Sequence, residues 1–317
     1  MFKYVLYRLI QAIPAMIGVT IIGFFLVHIV PGGPAQAMLG AKATPQKIAE
    51  IDRIYGLNKP IIVQYGIWMV QLLHGNLGTS YFYNESVWKL IRINMPRTLA
   101  IVGIGILLAH IGSVLLGSIQ AYYKNSIFDY VATTITYFFY AMPFFWLGII
   151  MIMFFSIDLS WFPSGGLSNP LNPNPGFGSW VAHTTLPVLT LVIGTIAQWA
   201  QYMRTSMDET LVQDYVRTAR SKGVGEVRVV MVHALRNSIL PLITLLGFAL
   251  PSLFSGALFI EVVFNYPGMG LLFWNAALQR DYPTILGIVV LTGLLTIFGN
   301  LLADLLYGVI DPRIKYT

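Results

Sequence analysis

Long stretches without a charged residue are the dominant pattern of this chain. A charged side chain at the centre of a bilayer costs roughly 2.5–3.5 kcal/mol on insertion scales, so these stretches mark where the chain could cross a membrane. Those longer than twenty residues are 9–41, 60–84, 98–123, 130–157, 159–203, 237–260 and 282–303. A spanning helix needs about 20 mostly apolar residues.

Two of these stretches do not qualify over their full length. The stretch 60–84 contains Gln64 and Gln71 within a short apolar part, which predicts an interfacial or extramembrane helix. Prolines and glycines interrupt the stretch 159–203, so that only about 183–203 can span. The pattern therefore predicts an all-α membrane protein with six transmembrane helices.

Composition supports a membrane protein. Of the 317 residues, 56% are hydrophobic and 10% are charged, against about 25% charged in a typical soluble domain. Cysteine is absent, which excludes disulfides and thiolate chemistry. The net charge of +6 is not gathered into a Lys/Arg tract, so nucleic acid is not expected as a partner. The basic excess instead indicates loops that face anionic membrane lipid.

The distribution of Lys and Arg predicts the orientation. With the N-terminus inside, the cytoplasmic segments hold eleven basic residues, and the short external loops, about 156–182 and 262–283, hold only Arg280. The first external loop is too long for the positive-inside rule to apply. Both termini are therefore predicted to be cytoplasmic.

The N-terminus has two interpretations. Residues 1–37 superficially resemble a cleaved signal peptide, with a basic start and an Ala-x-Ala sequence. The apolar stretch Leu9–Val30 is longer than the usual signal core of about 7–15 residues, which favours an uncleaved membrane anchor.

The segment between the fourth and fifth spans is unusually polar. Residues 204–236 hold ten charges in a chain that otherwise avoids them. We expect a helix that begins at Asp208 and Glu209, closes with basic residues and ends at Gly223, because acidic N-termini and basic C-termini suit the helix dipole. Its predicted apolar stripe is Leu211, Val212, Tyr215, Val216 and Ala219.

A second short helix is predicted over about Glu226–Arg236. Its inward side chains are expected to be Val227, Val230, Met231 and Ala234. Such a helical hairpin could be an amphipathic loop lying on lipid headgroups. The sharper hypothesis is a docking element for a cytoplasmic partner, with an exposed turn at 223–226.

The sequence contains no recognisable catalytic or cofactor motif. It lacks Gly-x-x-x-x-Gly-Lys-Ser/Thr for nucleotide phosphates and His-Glu-x-x-His for zinc, so we expect no enzyme activity, cofactor or metal in this chain. His110 lies inside a predicted span, where a structural hydrogen bond to a neighbouring helix is favoured over a functional role. Glu261, at the outer end of the fifth span, could line a vestibule or cap the interface.

Small residues recur on two of the predicted spans, where they let helices approach closely in lipid. They are Gly103, Gly105, Gly112 and Gly117 on the second span, and Gly247, Ser255 and Gly256 on the fifth. Close packing is the favoured explanation for each of them. Some fifth-span residues, with Gly256, Ser255 and Glu261 as candidates, could also line a translocation path.

A series of short motifs, in order along nearly the whole chain, resembles a known transport family. They are Pro31-Gly32-Gly33-Pro34, Gly75-Asn76-Leu77-Gly78-Thr79-Ser80, Pro143-Phe144-Phe145-Trp146-Leu147-Gly148, Trp161-Phe162-Pro163-Ser164-Gly165-Gly166, Asp214–Gly223, His233–Asn237, Pro267-Gly268-Met269-Gly270, Arg280-Asp281-Tyr282-Pro283 and Asp311-Pro312-Arg313. In their order and spacing, they resemble permease subunits of the ATP-binding-cassette importers, in the dipeptide, oligopeptide and nickel branch.

The resemblance implies a type I importer permease fold. It divides the chain into an N-terminal transmembrane helix (1–30), an external loop with short amphipathic helices (31–97), a five-helix core (98–307) and a cytoplasmic tail (308–317). The wider family motif is Glu-Ala-Ala, three residues, Gly, nine residues, then Ile-x-Leu-Pro. Ala219, Gly223 and Leu235 match it, while Arg217, Thr218, His233 and Arg236 depart from it in the manner of the peptide branch.

By this resemblance the loop 204–236 contains the coupling helix, which docks on an ATPase subunit. The implied coupling residues are Asp214, Tyr215, Arg217, Thr218, Ala219, Arg220, Gly223, Val224, Gly225, Glu226 and His233. Ala219 and Gly223 would permit close backbone approach. The implied partners are a homologous second permease, two ATPase subunits that bind ATP and magnesium, an extracytoplasmic solute-binding lipoprotein and membrane lipid.

Two other functions compete with the importer. A secondary transporter driven by an ion gradient would favour buried carboxylates or inverted repeats around broken helices. An intramembrane hydrolase would need a nucleophile and a base on facing spans. The sequence shows neither arrangement clearly. The cargo stays open between peptides of different length, nickel chelates and related small solutes.

Overall fold

A computed structural model describes residues 2–29, 33–40, 43–168, 176–249 and 258–310. In chain order the helices are α1 (Phe2–Ile29), α2 (Gly33–Leu39), α3 (Pro45–Tyr55), α4 (Ile61–Leu73), α5 (Val87–Tyr122), α6 (Ile127–Ala141), α7 (Phe144–Asp158), α8 (Phe177–Leu211), α9 (Asp214–Ser221), α10 (Glu226–Ser238), α11 (Leu240–Ala249), α12 (Leu258–Val263), α13 (Met269–Leu278) and α14 (Tyr282–Ile310). The predicted all-α class is confirmed for these residues.

Within the described residues, four helices are long and apolar enough to cross a membrane: α1, α5, α8 and α14. Two further candidate spans are bent pairs, α6 with α7 and α10 with α11. Counting each pair once gives up to six spans. The helix predicted within 60–84 is confirmed as α4, which has 13 residues and is too short to span.

The third predicted span is not one straight helix. α6 and α7 meet at an angle of 105° around Met142 and Pro143. Pro143 has no backbone N–H to donate and disfavours the helical conformation of the residue before it. Met142 accordingly has an extended backbone, with ψ at 124°. The absence of charge from 130 to 157 marked an apolar segment but could not report this break.

Helices α5 and α8 extend well beyond their apolar parts. α5 begins at Val87, so residues 87–97, predicted as external loop, are helical. α8 runs from Phe177 to Leu211, past the predicted limits of 183 and 203. Charged residues ended the apolar stretches in the sequence, but they do not end a helix that continues out of the hydrocarbon region.

The main core forms where α5 lies along α8, joined by α7 and the end of the fifth span. Three glycines of α5 allow this contact. A Cβ atom at Gly105 would lie 2.6 Å from the Leu191 side chain, and one at Gly112 would clash with that of Ile196. A Cβ at Gly117 would lie 2.6 Å from a backbone oxygen of α8. The predicted close approach at these three glycines is confirmed.

A smaller layer forms on the side of this core. α1 packs against α14, and the buried side chains Phe24 and Leu286 lie at their contact, with Tyr65 and Trp68 of α4 partly buried beside them. α4 itself buries no residue completely. The arrangement attaches the short helix α4 to the ends of the first and last candidate spans.

Candidate coupling site

The predicted coupling segment begins where α8 ends. α8 continues to Leu211, and Val212 and Gln213 break the helix before α9 starts at Asp214. The prediction that Asp208 and Glu209 open the short helix is therefore wrong, because both belong to the last turn of α8. α9 instead carries Asp214 in its first turn and Arg220 in its last, so the expected dipole pattern holds with a later start.

The underside of this hairpin is a small apolar cluster. Val216 and Val229 are completely buried and Ala219 nearly so, with Val224 packed against them. Of the predicted stripe, Tyr215 and Val212 are exposed by 42% and 61%. The predicted stripe was too wide, because α9 has only two turns and buries only one narrow face.

The inward face of α10 differs in part from the prediction. Val230 and Ala234 are buried as expected, but Val227 and Met231 are exposed and Val229 is buried in their place. Residues 229–234 form a π-helical turn. Bonds from i to i+5 place an extra residue in the turn, which shifts the side chains that face inward relative to an α-helical pattern.

An ion pair closes the hairpin. The Arg220 Nη2 donates to the Glu226 Oε1 at 2.6 Å, and its Nε lies 3.2 Å from both carboxylate oxygens. Arg220 Nη1 also donates to the Leu211 carbonyl at 3.4 Å. The hydrogen-bonded Glu226 carboxylate raises the pKa of the Arg220 guanidinium. The pair thus joins α9 to the start of α10 and to the end of α8.

The tip of the hairpin is the turn at 222–225. Gly223 has φ of +77°, in the left-handed region, and its N–H donates to the Arg220 carbonyl at 2.9 Å. The prediction that Gly223 ends the short helix with a positive φ is confirmed. No described atom would lie within 4 Å of a Cβ at Gly223 or Gly225, so the tip is open on its outer side.

Polar contacts within the hairpin support its shape. The Asn237 Nδ2 donates to the Tyr215 hydroxyl at 2.7 Å, which joins α9 to the end of α10. The Thr218 hydroxyl donates to the Asp214 carbonyl at 2.9 Å. His233 is half-buried in the π-helical turn.

The outward face of α9 is charged and solvent-accessible. Arg217 Nη1 lies 3.7 Å from Asp214 Oδ1, with the two side chains 69% and 98% exposed. A pair so loose and so exposed adds little to folding, which leaves both groups available to another molecule. The structure thus divides the predicted coupling residues into an inward set that shapes the hairpin and an outward set that does not.

Sequence reasoning missed the contacts that fix the end of α8, from which the hairpin continues, to its neighbours. Arg204 on α8 donates to both carboxylate oxygens of buried Asp129 on α6, at 2.8 Å each. Lys124 lies 3.2 Å from Asp208, which joins the end of α5 to α8. The sequence did contain a signal for the Asp129–Arg204 contact. The two residues carry opposite charges and border apolar stretches on the same predicted side of the membrane.

The candidate path residues have separate outcomes. Ser255 and Gly256 lie outside the described residues. Glu261 is completely buried: its Oε1 accepts from the Thr98 hydroxyl at 2.6 Å, and its Oε2 accepts from the backbone N–H groups of Gly270 and Leu271 at 2.7 and 3.0 Å. The carboxylate therefore caps the first turn of α13 and joins it to α5.

Among the described residues, no hydrogen bond joins His110 to a neighbouring helix as was expected. Its Nδ1 is buried and has no hydrogen-bond partner among the described residues. The ring packs edge-to-face against that of Trp199, with the two ring centroids 6.1 Å apart. The described part of the chain also contains no group of three His, Cys, Asp or Glu residues that could hold a metal ion.

Comparison with known proteins identifies the family. Residues 113–316 match the binding-protein-dependent transport system inner membrane component, and residues 1–102 match the N-terminal part of a binding-protein-dependent transport system membrane component. The chain belongs to this permease family. The resemblance found in the sequence motifs is confirmed, and the permease is a multi-pass protein of the cytoplasmic membrane.

Curated relatives match the permease over its whole length. It is 38% identical to the oligopeptide transport system permease protein AppB of Bacillus subtilis, covering all of both chains. It is 41% identical to a putative peptide permease protein of Brucella suis, again covering all of both chains. Identity to the dipeptide transport system permease protein DppB of Alkalihalophilus pseudofirmus is 36%, also over both complete chains.

Proposed function

We propose that this permease forms one half of the translocation path of an ATP-driven importer of dipeptides or oligopeptides. The peptide cargo is supported by the names of relatives that match the whole chain, which describe oligopeptide, dipeptide and peptide permeases. Nickel chelates, which the motifs alone left open, are the competing cargo in the test below.

The observation that carries the ATP-driven mechanism is the shape of the 212–238 hairpin. Its inner face is fixed by an apolar cluster and the Arg220–Glu226 pair, while its tip and the outer face of α9 have no covering group among the described residues. A rigid projection with an uncovered end suits docking on another protein. We propose an ATPase subunit as that protein, with the exposed coupling residues, among them Asp214, Arg217, Gly223 and Gly225, at the contact and the buried ones shaping the hairpin.

The proposal includes an orientation and a set of partners. The permease crosses the membrane six times, with both termini, α9 and the tip of the hairpin on the cytoplasmic side, as the distribution of Lys and Arg favours, and α10 begins the fifth crossing. A homologous second permease completes the path. Two ATPase subunits hold ATP and magnesium, and an extracytoplasmic binding lipoprotein delivers the peptide.

Transport in this proposal is alternating access by rigid-body movement. Closure of the ATPases on ATP draws the two hairpins together and turns the path outward, and hydrolysis resets it. The hairpin can transmit such a movement because α9 is joined to α8 by a two-residue break and α10 continues into α11 across a bend of 49°. The Arg204–Asp129 contact carries the movement to the third span.

A cleft of about 570 Å³ is the proposed contribution to the path. Its walls come from α5, α7, α8 and the fifth span, and they are apolar except for Thr195 and Gln198 of α8. Ala249 and Leu258, which flank the segment containing Ser255 and Gly256, both line it. The described residues of this wall carry no charged side chain, which would let peptides of different sequence pass, so selection is assigned to the binding protein.

The test is reconstitution of the permease with its second permease, ATPases and binding protein in liposomes. We expect ATP-dependent uptake of a radiolabelled peptide that unlabelled peptides suppress and nickel ions do not. Suppression of uptake by nickel chelates but not by unlabelled peptides would indicate a nickel chelate as the cargo instead of a peptide. Uptake driven by an ion gradient without ATP would support a secondary transporter instead. The permease alone should not hydrolyse ATP.

A further inference from the structure

A second cleft lies beside the hairpin and is separate from the proposed path. It has a volume of about 240 Å³ and opens between the end of α5 and α10. Its apolar walls include Leu115, Ile119, Tyr122, Val227 and Met231. All five side chains are at least 43% exposed within the chain, so the cleft opens sideways.

The cleft follows α5 from Val114 to Tyr123. Nine residues of rise correspond to about 13 Å along the helix, which is close to the depth of one leaflet of the hydrocarbon core. Tyr122 and Tyr123 form the end of the cleft that lies nearest the C-terminal end of α5. Tyrosines are typical of the boundary between hydrocarbon and headgroups, so the long axis of the cleft matches that of a lipid chain.

Two basic residues adjoin residues of the cleft wall in the sequence. Lys124 follows Tyr123, and Arg228 follows Val227, in each case directly after a residue that lines the cleft. Both side chains are exposed, and Lys124 pairs with Asp208 at 3.2 Å. The walls themselves carry no charged residue among those described. The apolar channel with a basic rim therefore has the polarity of an anionic lipid.

We propose that this cleft binds one anionic phospholipid of the cytoplasmic leaflet, with an acyl chain between α5 and α10 and the phosphate near Arg228 and Lys124. A volume below about 300 Å³ is small for a whole ligand but suits a single chain segment. Because α10 forms one wall, the lipid stiffens the connection between the hairpin and α5. The lipid assignment rests on the proposed function in one respect, which is the placement of this cleft on the cytoplasmic side of the membrane.

The test measures lipid retained by the purified full-length permease in native mass spectrometry. The probes are phosphatidylglycerol and phosphatidylcholine with the same acyl chains. We expect one phosphatidylglycerol to be retained in preference to phosphatidylcholine. Leu115→Trp fills the cleft and should lower that retention about tenfold, the equivalent of about two buried methylene groups.

Matched variants keep the result interpretable. Leu107→Trp places the same side chain on α5 at a residue that is 61% exposed and outside the cleft, and should leave retention unchanged. Arg228→Gln, on the surface, should lower the preference for phosphatidylglycerol about five-fold even if Leu115→Trp does not fold. Arg53→Gln, an exposed residue of α3, is its charge control.

Three results would overturn the lipid site. They are equal retention of both lipids, unchanged retention in Leu115→Trp and Arg228→Gln, or cross-linking of a cysteine at Val227 to the second permease in the assembled complex with lipid excluded. The native chain has no cysteine, so Val227→Cys also reports orientation through labelling by an impermeant maleimide. Peptide uptake is measured separately, so failure of one assay does not decide the other.

Discussion

The Ser80 hydroxyl donates to the Asp281 carboxylate at 2.5 Å, although the two residues are 201 positions apart. The same carboxylate accepts from the Tyr81 N–H at 2.9 Å and from the Thr284 hydroxyl at 2.7 Å. Ser80 and Asp281 are both buried. The contact holds the loop before α5 against the beginning of α14, so two motifs that are far apart in the sequence form one structural unit.

Asp281→Ala should destabilise the permease. The substitution leaves the buried hydroxyls of Ser80 and Thr284 without this acceptor and removes a carboxylate at the start of α14. Hydrogen bonds to charged groups contribute roughly 1.5–3 kcal/mol each, so we expect a loss of about 3 kcal/mol or more. The midpoint of thermal unfolding in detergent is the measurement.

Glu85→Ala is the control for Asp281→Ala. It removes a carboxylate from the same loop between α4 and α5, but Glu85 and its partner Lys89, 2.7 Å apart, form a pair that is 42% and 57% exposed. Such surface pairs contribute about 0–1 kcal/mol. Equal losses in the two variants would contradict the role given to Asp281.

The sequence motifs were sufficient to predict the family but not the contacts within it. Gly75–Ser80 and Arg280–Pro283 carried the resemblance as separate short patterns, and nothing in either predicted that Ser80 meets Asp281. Such a pairing depends on how α1, α4 and α14 pack, which is set by the whole chain. The six apolar stretches, in contrast, follow from the cost of charge in lipid and are predictable locally.

Asp129→Ala should cost more stability than any surface charge variant. Asp129 is 1% exposed and receives two hydrogen bonds from Arg204, so its removal leaves a largely buried guanidinium without a counter-charge. Breaking a buried pair costs about 3–5 kcal/mol. Thermal unfolding of Asp129→Ala and of Asp208→Ala, which breaks the more exposed Lys124 pair, gives the comparison.

A double substitution separates stability from transmission of movement. Asp129→Leu with Arg204→Met replaces the pair by apolar groups and should regain most of the lost stability, since buried ion pairs often contribute little net free energy. We expect peptide uptake by this variant to remain impaired, because the directional contact between α8 and α6 is gone. Full recovery of peptide uptake in the double variant would show that the Asp129–Arg204 pair contributes to stability but not to transmission of movement.

Local irregularities explain why the predicted hairpin was correct in outline and wrong in detail. Gly223 and the apolar residues Val216 and Ala219 behave as an ordinary helix pattern predicts. The π-helical turn from Val229 to Ala234 does not, since no residue type specifies an extra residue in a turn. The start of α9 was equally hidden, because Asp208 and Glu209 suit the end of a long helix as well as a new beginning.

Reversing charges in the hairpin should distinguish its shape from its docking surface. Arg220→Glu places two like charges at the contact with Glu226 and should weaken co-purification of the ATPase. The double variant Arg220→Glu with Glu226→Arg restores an ion pair and should recover much of it. Arg217→Glu lies on the exposed face, so we expect a loss of co-purification with no effect on thermal unfolding. Undiminished recovery of the ATPase in Arg217→Glu would count against docking on this face.

Gly223 and Gly225 provide a matched pair for the tip of the hairpin. A Cβ atom added at either glycine would have no described atom within 4 Å, but Gly223 has φ of +77° and Gly225 has φ of −61°. Gly223→Ala therefore costs about 1–2 kcal/mol of backbone strain, and Gly225→Ala costs none of it. If the glycines serve only the turn, peptide uptake by the assembled importer should fall in Gly223→Ala alone. If an ATPase approaches the tip closely, both alanine variants should lose uptake while insertion and the thermal midpoint of Gly225→Ala stay normal. We expect the second outcome, and normal uptake by both variants would reject a coupling role for the tip.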